Sequence, residues 1–344
     1  MASHKTYMKR ALELAQLGLK NAAPNPLVGC VIVCKDKIIG EGFHRKHGEP
    51  HAEPNAIRTV QDQSLLPHST LYVTLEPCSH FGKTPPCANL IIKKGIKKVV
   101  ISNLDPFEKV NGSGIKKLLD AGIEVITGVL EKEGRYLNRR FFKFHEQKQP
   151  YIILKWAESY DGFVGSIDNS IPLQISNKQN ASLVHKWRAE EDAIMVGVNT
   201  LINDNPKLNV RHVEGANPTR IIMDSGSSEL DYPSMNFAQE AGKTLIFNKT
   251  IDKKLNDLEF IKLNNFSIPG LLSELYKRNI QSLIVEGGPK LHAAFIDKGL
   301  WDEARITRNK LTVTKGIRSA RINGHFTDKI KSGNSCSVHL ISHI

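Results

Sequence analysis

The first half of the chain alternates between helical and extended hydrophobic patterns. Over residues 7–20, the apolar positions Met8, Ala11, Leu12 and Ala15 recur at the spacing of one helical face. Shorter apolar runs follow and predict, in order, strands 28–33 and 37–42 around a Lys35-Asp36 turn, helix 52–60, strand 70–74, helix 89–94, strand 99–101, helix 114–121 and strand 124–127. This alternation predicts a layered α/β domain.

A boundary between two domains is predicted where a polar stretch ends in proline, at residues 147–150, after a predicted helix at 135–144. A chain of 344 residues suits two domains, and we expect them at 1–147 and 148–344. The second half again alternates, with strand 151–156, helix 178–190, the apolar segment 193–198, strands 220–224 and 244–247, helix 268–277, strand 282–285 and helix 290–298. Residues 251–267 are largely polar and predict no regular element.

Composition is typical of a globular protein, with 40% hydrophobic and 24% charged residues. No apolar run approaches the roughly 18 residues of a membrane span, and the N-terminus predicts an amphipathic helix, not a signal peptide. Five cysteines do not make a disulfide framework. We therefore expect a cytoplasmic protein without a membrane partner.

The formal net charge of +12 suits an anionic partner such as a phosphorylated small molecule, a dinucleotide or nucleic acid. The lysines and arginines are scattered, whereas a nucleic-acid arm is usually denser. Charge alone does not choose among these partners.

The main chemical motif is His51-Ala52-Glu53 at the start of a predicted helix, followed by Cys78 after a predicted strand and then by Cys87. One imidazole and two thiolates are good zinc ligands, and three protein ligands leave a position for water, as in catalytic zinc sites. Zinc lowers the pKa of that water to about 7. Glu53 is too close in sequence to His51 for an easy second ligand, and we expect it to carry protons.

The spacing of the two cysteines leaves a structural alternative open. Zinc nucleobase deaminases usually have C-x-x-C, but eight residues separate Cys78 from Cys87. A structural zinc site would need a fourth protein ligand, for which His80 or His44 could serve.

The long spacer identifies a resemblance. The segments Pro24-Asn25-Pro26-Leu27-Val28-Gly29, His51-Ala52-Glu53 and 77–87 (PCSHFGKTPPC) closely resemble the deaminase domain of the RibD family, bifunctional enzymes of riboflavin biosynthesis. The resemblance implies a cytidine-deaminase-like α/β/α domain whose substrate is a ribosylaminopyrimidine 5′-phosphate. By that resemblance, the residues that hold the substrate are Asn25, His44, Lys83 and Thr84.

The second half resembles the reductase domain of the same family, a dihydrofolate-reductase-like α/β domain that uses NADPH. The resemblance rests on segments 150–155, 159–162, 197–200 and 204–206 and on a Glu-Gly-Gly turn at 286–288. The implied reaction opens the ribose ring and reduces it to a ribityl chain by hydride transfer. The positions that would contact NADPH are Ala157, Gln174, Thr200, Asp204, Ser225, Gly287 and Gly288.

Five further positions of the second half would contact the reductase substrate: Pro172, Arg188, Leu208, Arg211 and Glu286. Arg188 and Arg211 are chemically suited to its phosphate, although Arg188 could also be an exposed charge on a helix face. The family commonly has Ser-x-Trp-Ile-Thr where this chain has segment 172–176, PLQIS. The replacements at Pro172 and Gln174 predict altered cofactor contacts.

The leading hypothesis is a bifunctional zinc deaminase and NADPH reductase, acting on a phosphorylated pyrimidine riboside rather than on nucleic acid, and forming a homo-oligomer. One alternative is a deaminase of cytidine or tRNA with an accessory domain. Another is an RNA-binding module with a structural zinc.

Overall fold

The computed structural model describes residues 3–19, 21–81, 85–108, 110–166, 178–226, 230–332 and 335–342. The predicted site residues Lys83, Thr84, Pro172 and Gln174 lie outside these ranges. The chain divides into two compact units, Met1–Lys148 and Gln149–Ile344. None of the described helices combines the length and apolar character needed to cross a membrane.

The first unit alternates strands and helices along the chain. Its elements are α1 (His4–Gln16), β1 (Gly29–Cys34), β2 (Lys37–Phe43), α2 (Ala52–Thr59), β3 (Thr70–Leu75), α3 (Cys87–Lys93), β4 (Lys98–Asn103), α4 (Ser113–Asp120), β5 (Glu124–Ile126), α5 (Glu131–Leu137) and α6 (Arg139–Gln147). The five strands form one sheet in the order β2-β1-β3-β4-β5. Strand β1 is antiparallel to β2 and β3, whereas β3, β4 and β5 are parallel.

Helices cover both faces of this sheet. On one face, Ile32, Val73 and Ile101 pack against α2, α3 and α4. On the other, Val31 and Tyr72 pack against α1. Central strands buried on both faces need apolar residues at nearly every position, and β1 is buried throughout. The expected α/β/α layering of this unit is confirmed.

Helix α2, which follows His51, lies unusually close to the sheet. A side chain at Gly42 of β2 would approach the backbone nitrogen of Ala56 to 2.3 Å, so only glycine allows this packing. The turn between β1 and β2 lies at Lys35 and Asp36, as expected, and both residues have positive φ angles of 47° and 60°. The close approach at Gly42 packs the first half of α2 directly against β2.

The second unit contains the remaining elements. They are β6 (Tyr151–Glu158), β7 (Phe163–Gly165), α7 (Lys178–Glu190), β8 (Ala193–Gly197), α8 (Val198–Asp204), β9 (Thr219–Met223), β10 (Thr244–Asn248), β11 (Lys253–Leu255), β12 (Leu258–Lys262), α9 (Ile268–Lys277), β13 (Ser282–Val285), α10 (Pro289–Ile296), β14 (Glu303–Asn309), β15 (Ile317–Arg318), β16 (His325–Ser332) and β17 (Ser335–Ile341). Ten strands form one sheet in the order β11-β12-β10-β9-β8-β13-β6-β14-β17-β16.

The centre of this sheet, from β12 to β14, is parallel, and the strands at its ends are antiparallel. Leu271 of α9 and Phe295 of α10 pack on one face, and Trp187 of α7 packs on the other. The prediction of a second α/β domain is therefore confirmed. The structure brings the carboxyl ends of β9, β8, β13 and β6 to one edge, which is where open α/β sheets bind ligands.

Several predicted elements differ from those observed. The single helix expected at 135–144 is two helices, α5 and α6, and α8 was not predicted as a helix. Strands β11 and β12 lie in the stretch 251–267, where no element was expected. Strand β11 is exposed along its length, so it lacks the burial pattern that identifies strands in a sequence.

Candidate active sites

Three potential metal ligands of the first unit come from three different segments. His51 immediately precedes α2, Cys78 lies three residues after β3, and Cys87 is the first residue of α3. The backbone N–H of Cys87 donates a hydrogen bond of 3.3 Å to the sulfur of Cys78, which closes the loop between them. The long spacer therefore still brings the two cysteines together.

The donor atoms of this cluster fit zinc. The Nδ1 atom of His51 lies 3.6 Å from the sulfur of Cys78 and 3.4 Å from that of Cys87. In tetrahedral zinc sites, bonds of about 2.1 Å to nitrogen and 2.3 Å to sulfur separate the two atoms by about 3.6 Å. The contact with Cys87 lowers the pKa of Cys78 to about 4, and the same contact raises the pKa of Cys87. A bound dication would stabilise both groups as thiolates.

Glu53 lies beside this cluster in the first turn of α2 and is 3% exposed. Burial raises the pKa of its carboxyl group to about 7. A carboxyl group with such a pKa can both accept and donate a proton near neutral pH. Within the described residues, His51, Cys78 and Cys87 form the group that could hold a metal ion, and Glu53 lies next to this group without belonging to it.

His44 and Asn25 form a hydrogen-bonded pair next to His51. The His44 ring lies edge-on to the His51 ring at 5.4 Å between centroids. Its Nδ1 donates to the carbonyl of Pro50 (3.2 Å), and its Nε2 accepts from the amide of Asn25 (3.0 Å). Burial lowers the pKa of His44. Both ring nitrogens are engaged, so His44 is not the fourth ligand that a structural zinc would require.

The structure also shows a buried carboxylate that sequence reasoning missed. Glu76, one residue after β3, accepts hydrogen bonds from the backbone N–H groups of Asp105, Gly112, Gly114 and Ile115, at 2.9 to 3.3 Å. These bonds tie the start of α4 to the strand end that carries the first cysteine. In the sequence, Glu76 stands directly before the Pro-Cys pair, but no feature of the sequence identifies the backbone groups that it binds.

In the second unit, predicted cofactor residues lie at the carboxyl edge of neighbouring parallel strands. Ala157 is in β6, Ser225 follows β9, and the Gly287-Gly288 turn follows β13. Thr200 and Asp204 lie four residues apart on α8 and therefore share a face of that helix. The structure thus gathers these positions on one side of the sheet.

The glycine turn has an open backbone. Gly287 has a φ of 116°, and its carbonyl accepts a hydrogen bond of 2.7 Å from the backbone N–H of Gly197. Gly288 precedes α10, and a side chain added there would meet only the hydroxyl of Thr200, at 3.4 Å. Space and a helix N-terminus are what a phosphate requires.

The predicted substrate residues Arg188 and Glu286 bind each other. Nε and Nη2 of Arg188 donate to the two carboxylate oxygens of Glu286 at 2.7 and 2.8 Å. Both side chains are largely buried, so the alternative of Arg188 as an exposed helix charge is wrong. Lys155 of β6 lies 3.8 Å from the same carboxylate. Burial opposes ionisation of Glu286, but Arg188 and Lys155 outweigh it and hold its pKa at about 2.

Lys155, which lies beside Glu286, has no role predicted from the sequence. Burial lowers its pKa, even though Glu286 opposes the shift. A lone lysine inside an otherwise apolar strand is unusual, because lysine is almost never buried without a partner. That signal was present in the sequence.

Leu208 and Arg211 lie in the segment after α8. Leu208 is buried, whereas Arg211 is exposed. Nη1 of Arg211 donates to the side-chain oxygen of Asn209 at 2.8 Å, and Nη1 of Arg188 donates to the backbone oxygen of the same asparagine at 3.1 Å. The two predicted substrate arginines therefore share one neighbour.

The layered fold and the His/Cys/Cys cluster beside a buried glutamate define the first unit as a zinc deaminase of the cytidine deaminase type. Residues 1–103 match the family model described as the cytidine and deoxycytidylate deaminase zinc-binding region. Residues 150–313 match the RibD C-terminal domain.

Similar proteins cover both halves of the chain. The riboflavin biosynthesis protein RibD of Aquifex aeolicus (strain VF5) is 42% identical over 87% of this chain and 84% of its own length. That of Escherichia coli (strain K12) is 37% identical over 86% and 85%. The solved structure of Acinetobacter baumannii RibD (form 1) has a TM-score of 0.91 at 33% identity, covering 99% of both chains.

A further solved structure, the diaminohydroxyphosphoribosylaminopyrimidine deaminase/5-amino-6-(5-phosphoribosylamino)uracil reductase of Thermotoga maritima, has a TM-score of 0.89 at 36% identity, covering 99% of both chains. The chain belongs to the RibD family. It is a bifunctional deaminase and reductase of riboflavin biosynthesis that acts on a pyrimidine, with zinc in the deaminase and NADPH in the reductase. This membership favours the bifunctional enzyme over the two alternatives.

Proposed function

We propose that His51, Cys78 and Cys87 hold the zinc ion and that Glu53 carries protons during hydrolytic deamination. The observation that carries the proposal is the convergence of one nitrogen and two sulfurs, at 3.4 and 3.6 Å, beside a buried carboxyl group. When bound, zinc supplies an activated water by lowering its pKa. The residues of the chain position the proton carrier and the pyrimidine ring of the substrate.

Glu53 takes a proton from the attacking water and delivers one to the departing amino group, which leaves as ammonia. Burial disfavours the charged form of its carboxyl group and raises its pKa, which eases delivery of the proton to the leaving group. Asn25 presents its amide to the pyrimidine edge. The carbonyl of Pro50 can only accept, so His44 carries its proton on Nδ1, and Asn25 must donate to Nε2 through its NH2 group.

The deaminase proposal is tested by measuring zinc content and ammonia release together. Cys87→Ala should lower both, because it removes a ligand. Asn25→Ala should keep zinc and raise KM for the substrate, because it removes only a contact to the base. If Cys87→Ala retained full zinc content, the ligand set would be wrong.

For the second unit, we propose that Ala157, Thr200, Asp204, Ser225 and the Gly287-Gly288 turn contact NADPH. The support is their position at one edge of the parallel sheet and the space at Gly288. NADPH supplies the hydride when bound. The protein orients the two reactants and supplies the proton.

Ring opening of the ribose leaves its ring oxygen as a hydroxyl group, so that oxygen must gain a proton as the neighbouring carbon gains a hydride. We propose Lys155 as the donor of that proton. Its Nζ lies in the predicted substrate site, 3.8 Å from Glu286, and burial lowers its pKa and so makes proton release easier. Arg188, Leu208, Arg211 and Glu286 form the rest of the substrate site.

The substrate itself is proposed to be 2,5-diamino-6-ribosylamino-4(3H)-pyrimidinone 5′-phosphate, deaminated in domain 1–147 and then reduced in domain 148–344. Exposed Arg211 provides a cation for its phosphate. Isolated residues 148–344, given the deaminated substrate and NADPH, test the division. Failure of NADPH oxidation by that piece, while the full chain reduces the same substrate, would contradict it. Homo-oligomerisation and a cytoplasmic location stay predictions from the sequence.

A further inference from the structure

Asn209 contacts Arg188 and Arg211, two residues that the proposed function assigns to the substrate, and no pattern in the sequence singles it out. It is 6% exposed and makes three hydrogen bonds, each to a different charged side chain. We propose that Asn209 is a positioning residue that holds Arg188 and Arg211 for the reductase substrate, and that Glu240 sets its orientation. This inference rests on the proposed roles of the two arginines.

The orientation of the Asn209 amide follows from its partners. Its Nδ2 donates to a carboxylate oxygen of Glu240 at 2.9 Å, and a carboxylate can only accept. The amide oxygen is therefore turned toward Arg211, whose Nη1 donates to it at 2.8 Å. The backbone oxygen of Asn209 accepts from Nη1 of Arg188 at 3.1 Å. Asn209 thus contacts both guanidinium groups, that of Arg211 through its side chain and that of Arg188 through its backbone.

Glu240 is itself held in place from two sides. Lys207 donates to its other carboxylate oxygen at 2.6 Å, and the hydrogen bond from Lys207 lowers the pKa of Glu240. Nη2 of Arg220, which is buried, donates to the backbone oxygen of Glu240 at 3.1 Å. Glu240 is therefore a fixed acceptor for Asn209.

The two arginines differ in what they can still bind. Arg188 uses one edge of its guanidinium for Glu286, so its charge is balanced within the protein. Arg211 makes a single hydrogen bond, to Asn209, among the described side chains, and it is exposed. Its backbone N–H donates to Nδ1 of His185 at 3.3 Å, which anchors the main chain. The free donors of Arg211 are thus held ready for the anionic end of the substrate.

The test compares the deaminated 5′-phosphate substrate with the same compound after phosphatase treatment. For Asn209→Ala we expect KM of the phosphorylated substrate to rise about tenfold, the loss typical of one charge-assisted hydrogen bond, with kcat changed by less than about twofold. KM of the dephosphorylated compound should stay the same. Inhibition by inorganic phosphate should weaken in parallel. Arg211→Ala should give the same pattern, and the double variant should lose no more than Arg211→Ala alone.

Matched controls separate positioning from general loosening of the loop. Asn217→Ala removes an exposed amide that bonds only backbone groups of the same two segments, Val210 and Ala241, and should leave both KM values unchanged. Lys207→Ala removes one of the two groups that hold Glu240 and should raise KM of the phosphorylated substrate by a smaller factor than Glu240→Ala. Glu240→Ala frees the Asn209 amide and should raise KM of the phosphorylated substrate by a smaller factor than Asn209→Ala.

The outcomes distinguish failure of the proposed role of Arg211 from failure of the positioning role of Asn209. If Arg211→Ala left the preference for the phosphorylated substrate intact, the proposed role of Arg211 would fail. If Arg211→Ala removed the preference but Asn209→Ala did not, or if the losses in the double variant simply added, the positioning role of Asn209 would be overturned. An equal rise in both KM values for Asn209→Ala would also overturn it.

Discussion

The two sites of this chain balance their charges in different ways. In the first unit, His51, Cys78 and Cys87 direct three electron-pair donors to one point and supply no positive charge of their own. In the second, the carboxylate of Glu286 is already paired with Arg188 and lies near Lys155. The deaminase cluster is therefore incomplete without a cation, whereas the ionic core of the reductase site is complete within the protein.

This difference predicts how each site responds when one of its charges is removed. Removing the cation from the first site leaves three electron-pair donors facing one another. Metal removal should therefore affect deamination and leave reduction unchanged. Removing one charge from the second site leaves a buried partner only partly compensated, which is costly in a low dielectric. The following predictions probe this contrast, from the largest expected effect to the smallest.

Glu53→Gln should lower the rate of deamination by about 10² to 10⁴, because it removes the proton carrier while leaving the three ligands. Zinc content and NADPH-dependent reduction should not change. The measurements are ammonia release, metal analysis and NADPH oxidation on the full chain. Glu49→Gln, an exposed glutamate four residues earlier, is the control. Substantial deamination by Glu53→Gln would refute the assigned role.

Lys155→Met should lower the rate of reduction by about 10² or more, because the proton donor is lost. Glu286 keeps Arg188 as its partner, so folding should survive. Lys155→Arg retains the charge but holds its proton too tightly to release it, and it should also be slow. Recovery of activity in Lys155→Arg would mean that Lys155 acts by charge pairing alone. Lys186→Met on α7 is an exposed control.

Gly288→Ala should raise KM for NADPH by about tenfold, because the added methyl group occupies space that the cofactor phosphate would need. The protein itself accommodates the methyl group, whose nearest neighbour is the Thr200 hydroxyl at 3.4 Å. Melting temperature and deamination should therefore stay at wild-type values. An unchanged KM for NADPH would remove this turn from the cofactor site.

The stability of the second unit should fall as the pH falls from about 6.5 to about 4, partly because of His292. Burial lowers the pKa of this histidine to about 4, while its Nε2 donates to the carbonyl of Val285 at 3.0 Å. The unfolded chain binds the proton near pH 6.5, so it takes up more protons than the folded chain in this window. The stability that His292 contributes by staying neutral is therefore complete above about pH 6.5 and lost on acidification.

His292→Asn should remove this part of the pH dependence, which amounts to about 3 kcal/mol between pH 7 and pH 4. All three tryptophans of the chain, Trp156, Trp187 and Trp301, lie in the second unit, so their fluorescence in urea titrations follows that unit selectively. A variant with the same slope of stability against pH as the wild type would contradict the prediction.

Much of the fold could be predicted because buried strands and amphipathic helices carry strong local patterns. Helices α7 and α9 and strand β13 begin and end where the sequence predicted. Elements without such patterns were missed. Strand β14 is largely buried although it carries charged residues, and its Arg305 contacts Glu303 at 2.6 Å and the distant Glu191 at 3.5 Å. No local rule shows that a charged segment will find its partners inside a core.

The site residues divide in the same way, into those that residue type marks in the sequence and those that only the fold brings together. The candidate metal ligands could be predicted because histidine and cysteine are the residue types that zinc prefers, and here they occur near a glutamate in the order expected of a deaminase. No role could be assigned to Lys155, Glu76 or Asn209 from the sequence, because the role of a lysine, glutamate or asparagine depends on the residues that surround it in the fold. Arg188 is a predicted substrate residue, but its pairing with Glu286 across 98 residues of chain was not predicted.

The sequence by itself determined the two α/β halves, the candidate metal ligands and the family resemblance, because periodicity and residue chemistry are local properties. Only the tertiary structure decided that the eight-residue spacer still closes the cysteines onto His51, that Glu286 is neutralised by Arg188, and that Asn209 links two arginines. Each of these is a contact between groups far apart in the chain, and its energy depends on burial and distance, which exist only after folding.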